Sequence, residues 1–173
     1  MKMAASRIEI GESAIGTESY IIDNITSNAV VVLTKHGEER CAVINLDVSD
    51  APKAEKVLDG LVRKYIAEFE NTSPNELEAT VVGGHYREHR QVVEGYCVYH
   101  EHTLTRKKAE EALQAYEIQP QYLETDILAA KTILVEKGKI ILISQKREGF
   151  NNESAVMSED TYYRTVSRDK CCD

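Results

Sequence analysis

The sequence predicts an α/β fold of the α+β kind: a layered sandwich of mixed β-sheet with two or three helices. Three observations predict it. Asn28–Leu33 (NAVVVL) and Cys41–Leu46 (CAVINL) are too continuously apolar for half-exposed strands, so they read as neighbours buried on both faces. From Ala54 to Phe69 apolar residues recur at i, i+3 and i+4, the pattern of a helix with one apolar face. The other apolar stretches are short and bounded by glycine or polar residues, which suits further strands.

The elements follow in order. Arg7–Gly11 alternates polar and apolar residues and reads as a short strand. Glu12–Glu18 reads as a glycine-punctuated connection, and Ser19–Asp23 as a β-rich lead-in. His36-Gly37 supplies the turn between the two buried strands. Ser49-Asp50-Ala51-Pro52 offers a capping residue and a first-turn proline for a helix that runs to about Glu70. Glu78–Val82 reads as a third buried strand, stopped by Gly83-Gly84. His85–His102 is ambiguous: Val92, Val93 and Tyr96 have helical spacing, but Gly95 and the run Tyr96–Tyr99 oppose a helix. Thr103 or Thr105 can cap a helix to Tyr116, with Ala109, Ala112, Leu113 and Tyr116 facing the core. Gln119–Glu124 reads as a strand, and Ile127–Val135 with Lys139–Ser144 as a hairpin across Lys137-Gly138.

The totals limit function more than fold. A chain of 173 residues suffices for one domain with a sizeable core, expected over residues 1–145. Residues 146–173 are charged and lack an apolar period, so they read as a polar tail with strand character only near Tyr162–Val166. A net charge of -8 argues against a nucleic-acid partner, because phosphate binding needs a basic face. No apolar run reaches the roughly 20 residues of a membrane helix. No secretory signal is visible at the start. Two cysteines in the domain and an adjacent pair at the end are no disulfide framework, and they suit a reducing compartment. The expectation is a cytoplasmic protein, with non-classical secretion left open.

Three landmarks point to a family. They are Ile10-Gly11-Glu12 near the start, the paired buried strands followed by a long helix, and Glu78-Ala79-Thr80-Val81-Val82-Gly83-Gly84 followed by a helix and a closing hairpin. In order and spacing the chain from Ile8 to Ser144 resembles the bacterial chemoreceptor glutamine deamidases. It is similar also to the eukaryotic N-terminal asparagine amidohydrolases, where a Val-Gly-Gly follows a strand at the same place. The resemblance implies a deamidase-like fold. In that family a cysteine at the start of the first key strand attacks a side-chain amide carbon, and ammonia leaves through a thioester. A histidine on the next strand takes the thiol proton, and an upstream threonine orients it. The matching positions here are Asn28, Asn45 and Ile22. An asparagine amide offers neither a nucleophile nor a base near neutral pH. No cysteine lies before Arg40, so a small slip in the alignment does not restore the mechanism.

The expected function is therefore that of a catalytically inactive deamidase-fold protein, a binding or regulatory module for a protein or an amide-bearing ligand, with no cofactor. Two alternatives stay open. One is an amidohydrolase with a relocated site at Cys97 with His100 and His102. Cys41 does not serve, because four strand residues, about 13 Å, separate it from Asn45; it reads as a small buried hydrophobe. The other alternative is a metal site: His85 and His89 would share a face if that piece were helical, with Cys97 or Glu101 completing the set. The bland reading of these histidines is a solvated loop. For binding, the segment Gly83, Gly84, His85, Tyr86 and Arg87, with Tyr96 and Tyr99, is the first choice, because Tyr and Arg are enriched at binding hot spots. The C-terminal Lys170-Cys171-Cys172-Asp173 lacks the cysteine position of a prenylation box.

Overall fold

The computed structural model describes residues 5–26, 28–47, 53–69, 71–84, 86–93, 96–102, 104–123 and 129–146. In chain order the elements are β1 (Ser6–Arg7), β2 (Ser13–Gly16), β3 (Tyr20–Ile25), β4 (Ala29–Lys35), β5 (Cys41–Leu46) and helix α1 (Ala54–Ala67). A 3-10 turn at Pro74–Glu76 precedes β6 (Leu77–Gly83), β7 (Tyr86–Val93) and β8 (Tyr96–His102). Helix α2 (Leu104–Gln114), β9 (Pro120–Tyr122), β10 (Ala130–Glu136) and β11 (Lys139–Lys146) follow.

Among the described residues the mixed α+β architecture has two larger sheets, a separate two-stranded sheet β7-β8 and one helix layer. A five-stranded sheet runs β2-β5-β4-β6-β9, and a four-stranded sheet runs β1-β3-β10-β11. Each is mixed: β6 with β9 and β1 with β3 are parallel, and the other pairs are antiparallel. The two sides of the five-stranded sheet make two cores. Ala29, Val31 and Leu33 of β4, with Ala42, Ile44 and Leu46 of β5, pack under Leu58, Leu61, Val62 and Tyr65 of α1 and Ala109, Ala112 and Leu113 of α2. The alternate residues Val30, Val32, Cys41 and Val43 pack against Tyr20, Ile22, Ile25, Ile133 and Val135 of the four-stranded sheet. The sheet is thus dry on both sides, which is why β4 and β5 are nearly continuous apolar runs.

Local chemistry fixes the joints. Glu38 N–H bonds the Lys35 carbonyl at 3.1 Å across the β4–β5 turn, with Gly37 at φ +81. Tyr65 donates to the Arg40 carbonyl at 2.5 Å and stacks edge-on against Phe69, which ties α1 to the chain entering β5. Lys137-Gly138 turns β10 into β11 at positive φ.

Several elements differ from expectation. Arg7–Gly11 is mostly not strand: the ladder ends with β1, and Glu9–Glu12 closes a turn with Gly11 at φ +86. Its glycine admits the left-handed backbone that the turn needs. Glu12–Glu18 is not a bare connection, since β2 forms there against β5. The ambiguous piece is the hairpin β7–β8, with Arg90 as the extra residue between the pairs His89–Tyr99 and Gln91–Val98. Its β-branched and aromatic residues outweigh the helical spacing of Val92, Val93 and Tyr96. Tyr116 lies just past the end of α2 and is only partly buried. The expected cap at Ser49–Pro52 and the tail after Lys146, with Tyr162–Val166, lie outside the described residues.

Two glycines separate strain from crowding. A Cβ on Gly37 meets nothing within 4 Å, whereas one on Gly83, at φ +78, would sit 2.4 Å from Ile25 Cγ2 and 2.5 Å from the Asn28 carbonyl. Gly37→Ala is expected to cost about 1 kcal/mol, the left-handed strain alone. Gly83→Ala adds overpacking and is expected to cost about 3 kcal/mol. Urea unfolding of both variants checks this, and equal losses would contradict it.

Candidate functional site

Asn28 precedes β4, and Asn45 is the fifth residue of β5. Val30 pairs with Asn45 in the β4–β5 register, so the turn leading into β4 comes beside the end of β5. By alternation Asn45 faces the inter-sheet layer with Cys41 and Val43. The two asparagines are 2% and 1% exposed. They meet directly: Asn28 Nδ2 donates to Asn45 Oδ1 at 2.6 Å.

The network has one consistent polarity. The Thr26 N–H can only donate, and Asn28 Oδ1 accepts it at 2.9 Å. That turns Asn28 Nδ2 towards Asn45, whose oxygen must accept. Asn45 Nδ2 is left to donate to the Ile8 carbonyl, an acceptor only, at 3.3 Å. The backbone holds the same groups: Gly11 N–H bonds the Asn45 carbonyl at 2.7 Å, and Asn45 N–H bonds the Glu12 carbonyl at 3.0 Å. The segment Ile8–Glu12 therefore covers Asn45. On the other side Gly84 N–H bonds the carbonyls of Asn28 (2.8 Å) and Thr26 (3.2 Å). Gly83 and Gly84 are thus clamps on the turn that carries Asn28, both at positive φ.

The remaining candidates fall as follows. Ile22, fully buried in β3, lies in the same inter-sheet core and pairs with Ile133. Cys41 is buried opposite Gly16, and burial pushes its thiol up to about 11, so it carries almost no thiolate at neutral pH. In β7–β8, Cys97 is paired with Val92, His100 with Glu88 and His102 with Tyr86. Cys97, His100 and His102 all lie on β8. His85 lies outside the described residues. From Tyr86 the chain is strand, so His89 does not lie in a helix. Tyr86 and Arg87 open β7. Among the described residues no group of three or more His, Cys, Asp or Glu is placed to hold a metal ion. No described helix is long and apolar enough to cross a membrane.

No family model and no curated protein matches the chain. One solved structure with a likeness is the crystal structure of the Bacillus licheniformis hypothetical protein YfiH, with a TM-score of 0.42 and 9% identity. The likeness covers 64% of this chain and 48% of YfiH, so the chain spans about half of that protein's length.

Sequence reasoning singled out Asn28 and Asn45 but missed the roles of Ile8 and Thr26, which act through backbone groups that every residue carries. The electrostatics of the pair are testable. In Asn28→Asp the second carboxylate oxygen replaces a donor opposite Asn45 Oδ1, and burial raises the folded pKa above the unfolded value near 3.9. The protonated acid restores the donor, so the penalty grows as pH rises through the folded pKa. Relative to the parent, the variant is expected to lose about 3 kcal/mol at pH 7.5 and about 1 kcal/mol near pH 4. A deficit independent of pH in denaturant titrations would contradict the assignment.

Proposed function

We propose that this protein is a catalytically inactive member of the deamidase-like fold, a binding or regulatory module for a protein or an amide-bearing ligand. The observation that carries the reading is the bond between Asn28 and Asn45, sealed from water and satisfied by Thr26 and Ile8. The resemblance aligns these positions with a nucleophilic cysteine and its histidine. Here they supply a buried amide pair beside the β4–β5 ladder, and it offers no thiolate and no base. Residues 1–145 form the domain in this reading, and residues 146–173 the polar tail. The segment Gly83–Arg87 at the mouth of the family's site is the first surface to examine for a ligand.

The test is ammonia release. Full-length protein incubated with glutamine-containing peptides and with peptides bearing an N-terminal asparagine is expected to release none above a protein-free blank. Sustained, enzyme-dependent release would overturn the reading, and loss of that release in Cys97→Ser would then locate the nucleophile.

A further inference from the structure

Strand β2 is one of the two outer strands of the five-stranded sheet; its far edge meets no other strand among the described residues. Edge strands expose backbone donors and acceptors that can pair with another chain. Beside this edge runs α1, and a groove of about 560 Å³ lies between them, bordered by Ser13, Lys53, Lys56, Val57, Gly60 and Lys64. Ser13 and Ile15 share the helix side of β2, where Ile15 packs on the core under α1.

Two features of this groove are unexplained by the folded chain itself. The first is charge. The protein carries a net -8, yet Lys53, Lys56 and Lys64 are exposed and have no carboxylate partner among the described residues. Elsewhere Arg63, Arg40 and Lys108 each hold a carboxylate within 2.9 Å. The second is Gly60, in the middle of α1. Glycine is unfavourable inside a helix, and a Cβ there would meet nothing within 4 Å, so no contact in the described chain requires it. Its lack of a side chain keeps the helix wall low where the groove passes, next to an exposed Val57.

We propose that this groove binds an extended acidic segment of a partner protein, which adds to the edge of β2 as a further strand. Backbone pairing to β2 supplies affinity in this mode, and alternate side chains supply specificity. Lys53 and Lys64 are eleven residues apart, roughly 16 Å along the helix axis, which about five extended residues span. Carboxylates at every second position then face the lysines, and the chain between them lies over Val57 and Gly60. The groove is on the helix side of the sheet, whereas Asn28 and Asn45 face the other side, so this inference goes beyond the preceding one. Ammonia release would end that reading and leave this one standing.

The test uses full-length protein and a fluorescent peptide, acetyl-Glu-Val-Glu-Thr-Glu-Val-amide, read by anisotropy at low salt. The expected result is saturable binding that weakens with added salt. Lys53→Glu with Lys64→Glu is expected to weaken it at least tenfold. Gly60→Ala is expected to raise the melting temperature yet weaken binding, a combination that damage to the fold does not produce. N-methylation of alternate peptide amides is expected to abolish binding. Absence of saturable binding, or equal binding by the N-methylated peptide or by the lysine variants, overturns the proposal. Dimerisation in sedimentation that the same lysine variants abolish also overturns it, in favour of a second copy of this chain.

Discussion

With helices on one side and a second sheet on the other, β4 and β5 have no face to water. Any polar side chain placed on them must find its partners inside. Asn28 and Asn45 do so by bonding each other, and the donors and acceptors at both ends of the pair are backbone groups. Leaving one such group unpaired costs about 1–3 kcal/mol, so the pair constrains its surroundings as much as it is held by them. The turn before β4, the Glu9–Glu12 turn and the double glycine all take positions that these few hydrogen bonds demand.

That constraint also bears on chemistry. A nucleophile must reach substrate, and its base must take and release a proton. A buried amide network with a single consistent polarity does neither. Cys41, a few residues along the same strand, is equally withdrawn, its thiol held neutral by burial. The inter-sheet layer around the pair is a structural interior, and the recognition proposed for this protein is placed on its exterior. There the edge of β2 and the lysines of α1 form a surface whose charge opposes that of the chain as a whole.

Much of the architecture was legible in the sequence. The runs in β4 and β5 announced burial on both faces, the period of α1 announced its core face, and Lys137-Gly138 announced the closing hairpin. What escaped was set by backbone pairing rather than side-chain pattern. β2 is a strand because β5 offers it a ladder, and Ser13–Gly16 carries little strand signal of its own. The β7–β8 hairpin hid because neither YREHRQVV nor YCVYHEH alternates apolar and polar residues. In the candidate site, Asn28 and Asn45 were singled out by the resemblance, and their burial inside the sheet was legible from the apolar runs around them. Their mutual bond, and the cover supplied by Ile8–Glu12, depend on long-range approach that no local pattern records.

Hydrogen exchange of the Asn28 and Asn45 side-chain amides, followed by nitrogen-15 NMR, probes the buried pair itself. If the pair is a sealed structural bond, the protons of Asn28 Nδ2 bonded to Asn45 and of Asn45 Nδ2 bonded to Ile8 exchange only as slowly as the most protected backbone amides of β4 and β5. Exchange of those protons at the rate of a free asparagine amide, while the backbone of β4 and β5 stays protected, would show a centre open to solvent and contradict the account.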